Sequence, residues 1–153
     1  MGSLLGALAA SVPAGGRILE LGTGAGYGLA WLVDGLGDRT DVEVVSVDLD
    51  DALQGQVSST PWPPFVRFAL GDGEALVPTL GRFDLIFADA PGGKTSGLGR
   101  TIEALRPGGF LVVDDMDPDR HDDTARRHAL ALVRERLHGD DRLHWPNWTS
   151  PPA

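Results

Sequence analysis

The chain has 153 residues, an apolar fraction of 42%, 22 acidic against 13 basic residues, and no cysteine. That length makes one domain with room for a core. The net charge of −9 argues against duplex nucleic acid or an anionic membrane as the main partner, because both need a basic surface, and the absent cysteines exclude disulfides and thiolate metal sites.

Gly2 to Ala10 reads as a short amphipathic helix. No basic residue precedes its apolar positions, so their spacing suits a helix better than a signal peptide, and no run approaches the roughly 18 apolar residues of a membrane span. A cytoplasmic protein is expected. Pro13 to Gly16 is a turn, and Arg17 to Leu21 is the first strand. Glycines 22, 24, 26 and 28 alternate directly after it, and Ala25 to Leu36 carries a helical pattern. This stretch therefore predicts a strand, a tight turn and a helix start, with a nucleotide-like cofactor over the turn.

Val42 to Asp48 is a β-branched run, as expected of a strand buried on both faces. Asp50 can cap a helix over Asp51 to Ser58. Ser59 to Pro64 is a loop, Phe65 to Leu70 the third strand, and Glu74 to Leu80 a weak helix. Phe83 to Asp89 is the fourth strand and Ala90 to Gly93 a turn. Thr95 to Leu105 is a helix, broken by Arg106-Pro107-Gly108-Gly109. Phe110 to Val113 is the fifth strand, followed directly by Asp114-Asp115. Asp119 to Leu137 reads as one long helix. After Gly139 only Arg142 to Trp145 could form a strand, and Pro146 to Ala153 looks like coil. Residues 1–138 thus make one α/β domain with an irregular tail over 139–153.

Alternating strands and helices predict a doubly wound, mostly parallel sheet. Ligands of such sheets bind beyond the carboxyl ends of the strands. Asp48, Asp72, Asp89 and Asp114 all fall just past strand ends, which points to one site. The dinucleotide fingerprint Gly-x-Gly-x-x-Gly is not met, because Tyr27 stands where its third glycine belongs.

The ordered motifs resemble those of class I S-adenosylmethionine-dependent methyltransferases. The acid and glycines of their first motif are matched by Glu20, Gly22, Gly24 and Gly26, with Thr23 and Tyr27 in the same turn. Their ribose-binding acid is matched by Asp48, followed by Leu49. The Asp near the adenine is matched by Asp72, between Gly71 and Gly73. Phe83 to Asp89 looks like their fourth strand, and Leu105 to Gly109 like the approach to their fifth. The closest likeness is to the catechol and caffeoyl-coenzyme A type O-methyltransferases.

That resemblance implies a small hydroxylated substrate. It also implies, in the metal-dependent members, a divalent cation such as Mg²⁺ held by Asp89, Asp114 and Asp115, although the family usually has Asn at the last position. The family's base is a Lys shortly after the fourth-strand Asp. The single lysine, Lys94, is the candidate, but it lies two residues further on than the pattern has it. The family adds two strands after the last helix and helical sequence at the N-terminus. Here both look trimmed, which leaves the fifth strand as an edge unless residues 142–145 or a homodimer contact cover it. The rival reading is a non-catalytic, cofactor-binding or interaction domain of the same fold.

Overall fold

The computed structural model describes residues 1–144. The apolar runs form five strands: β1 (Arg17–Leu21), β2 (Glu43–Asp48), β3 (Val66–Leu70), β4 (Phe83–Ala88) and β5 (Leu105–Val113). All pairings are parallel, and the order across the sheet is β3-β2-β1-β4-β5. The switch in strand order falls at β1, so the turn after β1 lies where a doubly wound sheet opens its ligand crevice.

The connecting helices are α1 (Gly2–Ser11), α2 (Tyr27–Leu36), α3 (Asp51–Ser58), α4 (Gly73–Leu80) and α5 (Leu98–Ala104). Side chains alternate across a strand, and this sorts the core into two layers. Ile18, Val44, Leu85 and Phe87 pack with Leu5 and Ala9 of α1, Leu29, Leu32 and Leu36 of α2, and Val57 of α3. Leu19, Leu21, Val45, Val47, Ile86 and Ala88 pack on the other face with Val77 of α4 and Ala104. Each fully buried leucine of α2 contributes about 1.5–3 kcal/mol, which outweighs the two glycines inside that helix.

Four elements differ from the expectation. Residues 73–80 form a full helix despite Pro78, because Asp72 caps it by accepting from the Glu74 N–H at 3.0 Å. The helix after the fourth strand begins at Leu98 instead of Thr95. Residues 91–97 wind into a compact turn in which Pro91 O accepts from the N–H groups of Lys94, Thr95 and Ser96. Arg106 to Gly109 does not break the chain before β5 but lies within it. Leu105 pairs with Phe83 and Phe110 with Leu85, so the extra residues are absorbed as a register shift.

The long helix expected over 119–137 is two elements, a 3₁₀ turn (Pro118–Arg120) and α6 (Thr124–Gly139). Asp117 and Asp123 each accept from a backbone N–H two residues on, and each starts its own element. The chain divides into two compact units, Met1–Asp115 and a second from Met116 onward. In the second, Leu130, Val133 and Leu137 recur along one side of α6 and are buried. There Arg142 forks onto the Asp140 carboxylate at 2.8 and 2.7 Å. Arg142 to His144 form no strand. Trp145 and the tail Pro146 to Ala153 lie outside the described residues. Among the described residues no sixth strand forms, and no helix is long and apolar enough to cross a membrane.

Candidate active site

The glycine turn is held from below by the sheet. The N–H groups of Gly22 and Thr23 both donate to Val47 O, at 2.8 and 3.2 Å. Gly24 N–H donates to Asp48 Oδ2 at 2.8 Å, and Gly26 N–H to Thr23 O at 2.8 Å. These four donors are therefore spent on the protein's own oxygens. Gly24 has φ +50°, and a Cβ built there would meet nothing within 4 Å. The turn is open to solvent at that point, and the backbone can be approached closely.

Beneath the turn lies Glu20, which is 0% exposed. It stands in register with Ser46 on β2 and Phe87 on β4. Ser46 Oγ donates to Glu20 Oε2, and Thr23 Oγ1 lies 2.7 Å from Ser46 Oγ. A hydrogen-bonded chain thus runs from the turn through β2 to β1. Glu20 Oε1 is buried with no hydrogen-bond partner. Burial pushes this carboxyl up to about 8; the Ser46 bond opposes the shift, and the Asp89 and Asp48 charges add to it. Glu20 was expected to touch the cofactor. The structure places it under the turn, buried, where it braces the turn through Ser46.

Ser46 was not among the expected site residues, although a lone serine in a valine run is a visible signal. Gly28 is the other omission. A Cβ there would stand 2.4 Å from Glu20 Oε1 and 2.8 Å from Phe87. Alanine is ordinarily favoured over glycine inside a helix by about 1 kcal/mol. Gly28→Ala is nevertheless expected to lower stability by about 1–3 kcal/mol, because it overpacks the contact between α2 and the sheet. Urea denaturation checks this, and a variant as stable as the parent would refute the close-packing assignment.

The strand-end acids differ in their surroundings. Asp48 is half-buried; its Oδ1 accepts from the Asp50 N–H at 2.9 Å and its Oδ2 from Gly24. Asp72 is exposed as the cap of α4. Leu49 and Tyr27 are 73% and 79% exposed, so two large apolar-bodied side chains stand on the rim. Asp89 is exposed, and its N–H donates to Leu21 O at 2.9 Å, which ties it to the end of β1. Asp114 Oδ1 accepts from the Asp115 N–H at 2.8 Å. Asp115 has φ 54° and is the only non-glycine residue with positive φ among the described residues.

Lys94 is buried, with 3% exposure. Its Nζ donates to the carbonyl oxygens of Asp89 and Asp114, at 3.0 and 3.1 Å. The expected metal triad does not converge. Among the described residues no group of three or more histidines, aspartates or glutamates is placed to hold a metal ion. The donor set at Asp89, Asp114 and Asp115 does not fit Mg²⁺, which demands a near-octahedral oxygen shell.

Comparison with known proteins identifies the fold and the family. A family model described as a methyltransferase domain matches residues 19–116. The methyltransferase str3 of Strobilurus tenacellus is 35% identical over 107 residues, which is 66% of this chain and 35% of str3. A candidate O-methyltransferase of Mycolicibacterium smegmatis is 30% identical over 94% of this chain and 73% of its own. Among solved structures, the O-methyltransferase TomG of Streptomyces achromogenes, involved in tomaymycin synthesis and bound to S-adenosylmethionine, superposes with a TM-score of 0.72. It is 28% identical, with 91% of this chain and 68% of TomG covered. This chain thus spans about a third of str3 and about seven tenths of the other two. The family match runs from within β1 through β5 and holds the acids at the strand ends, and the chain belongs to the methyltransferase domain family.

Proposed function

We propose that this chain transfers the methyl group of S-adenosylmethionine to a hydroxyl of a small molecule. One observation carries the choice of cofactor. The N–H groups of Gly22, Thr23, Gly24 and Gly26 are all bonded within the protein, so this part of the turn offers no cradle to a pyrophosphate. The crevice presents carboxylates instead, at Asp48, Asp72 and Asp89. Such a rim favours a ligand that is a cation and carries no phosphate. S-adenosylmethionine is one, and TomG, which shares the fold, binds it.

When bound, S-adenosylmethionine supplies an electrophilic methyl group on a sulfonium. The chain's own residues do the rest by placement. Asp48 keeps a lone pair on each oxygen after bonding Gly24 and Asp50, so it can accept both ribose hydroxyls. Gly71, Asp72 and Gly73 would border the base, and Leu49 and Tyr27 would offer it apolar cover. Gly24 admits the ligand against bare backbone. Asp89 is the exposed carboxylate beside the turn and orients the acceptor hydroxyl. The acceptor oxygen would attack the methyl carbon as the carbon–sulfur bond breaks, its proton would pass to the Asp89 carboxylate, and S-adenosylhomocysteine would leave. A screen of catechols, phenols and hydroxylated metabolites with methyl-labelled S-adenosylmethionine tests this reading. Label is expected on an oxygen of at least one acceptor class; transfer only to nitrogen or carbon acceptors would refute it.

A further inference from the structure

In the metal-dependent pattern a divalent cation sits between the ends of β4 and β5. In this chain that place is taken by an ammonium group. The turn over 91–97 delivers Lys94 there, and it is pinned by Gly93 N–H to Ser96 O at 2.7 Å and by Thr101 Oγ1 to Gly93 O at 2.7 Å. The Lys94 side chain is 4% exposed, and Nζ stands 3.9 Å from Asp89 Oδ1. Its two carbonyl acceptors, Asp89 and Asp114, follow immediately after the last ladder pair of the two strands, Ala88 with Val113. The ammonium therefore bridges β4 and β5 one step beyond the sheet. The carboxylates are disposed accordingly. Asp114 turns Oδ1 to the next N–H, and Asp115 lies in the left-handed region. A divalent ion at this point would face the lysine charge at close range and would need these side chains to reorganise.

We propose that Lys94 replaces the divalent metal, so that methyl transfer by this chain needs no Mg²⁺. Lys94 is a positioning residue: it holds the Asp89 segment against β5 and so fixes Asp89 beside the cofactor turn. The activity arm rests on the methyl-transfer reading, whereas the metal-binding arm stands without it.

The test combines three measurements on the full chain. Mg²⁺ and Mn²⁺ are titrated by calorimetry, and Mn²⁺ is followed by electron paramagnetic resonance. No saturable site is expected; a one-to-one site lost in Asp114→Asn would overturn the proposal. Turnover is measured with EDTA and with added Mg²⁺. It is expected to stay within about twofold, and loss on chelation restored by Mg²⁺ would overturn the proposal. Lys94→Met is expected to lower kcat about tenfold while S-adenosylhomocysteine affinity moves less than about twofold. Unchanged kcat, or a limb of the pH–rate profile that vanishes in the variant because Lys94 is the base, would remove the positioning role. Should Lys94→Met fail to fold, the two measurements on the parent chain still decide. Absence of turnover with every acceptor would count against the methyl-transfer reading alone, and the metal titration would then judge the proposal.

Discussion

Asp48→Ala is expected to weaken S-adenosylhomocysteine binding at least about 100-fold, since two charge-assisted hydrogen bonds to ribose hydroxyls are worth roughly 3–4 kcal/mol together. The geometry behind this is specific. Gly24 and Asp50 fix the carboxylate from both sides at 2.8 and 2.9 Å, so it is oriented before any ligand arrives. Preorganisation of this kind removes an ordering cost from binding. The same substitution leaves two N–H groups without their acceptor and should lower stability by about 1–2 kcal/mol. Asp48→Asn keeps one acceptor and should fall between the parent and Ala. Calorimetry with urea denaturation separates the two effects. Affinity within about threefold of the parent would reduce Asp48 to a brace of the turn.

The second large effect is a pH dependence of stability centred on Glu20. Its folded-state pKa is about 8, against an ordinary value of 4.5, because burial disfavours the charged form. Between those values the unfolded chain has released the proton and the folded chain keeps it. The unfolded state therefore binds fewer protons, and stability falls as pH rises from 4.5 to 8. Above pH 8 the loss is complete, and it amounts to a few kcal/mol at roughly 1.4 kcal/mol per pH unit. Glu20→Gln mimics the protonated form and has no such slope. It is expected to be more stable than the parent at about pH 8.5 and close to it at about pH 5. Asp41 produces the opposite trend in a separate window. The Arg39 hydrogen bond brings its pKa down to about 2, so that contribution is lost only as pH falls below about 4. Urea melts from about pH 5 to 9 read the Glu20 slope directly; a Glu20→Gln variant less stable than the parent at the alkaline end would show that the buried carboxylate is needed in its charged form.

Legibility of the site in the sequence followed the range of the interactions. Strand β1 matched its expected limits, because isoleucine and leucine residues between a glycine turn and a glycine cluster leave few alternatives. Asp50 and Asp72 cap helices through bonds two or three residues long, and such local chemistry is visible in order along the chain. The break expected at 106–109 failed because Leu105 and Phe110 both pair with β4 and the residues between them are absorbed as a register shift, which is a long-range effect. The aspartate run before α6 contained two caps instead of one helix, and no local rule separates those outcomes. Glu20 was recognised as part of the motif, but its burial depends on Ser46 and Phe87, which are distant in the chain and adjacent only in the sheet. In the sequence Gly28 is only one more glycine of the series; its reason is the carboxyl under α2. Lys94 illustrates the same limit. The sequence marks it as the single lysine near Asp89, whereas its bond to the Asp114 carbonyl exists only once β4 and β5 are adjacent.

The central claim is that the turn after β1 and the acid after β2 form a site for S-adenosylmethionine. Calorimetric titration of the full chain with S-adenosylhomocysteine tests this most directly, with Asp48→Ala as control. A saturable one-to-one heat that the control loses is the result expected. No saturable heat up to roughly 1 mM ligand, or equal heats for parent and control, would contradict it.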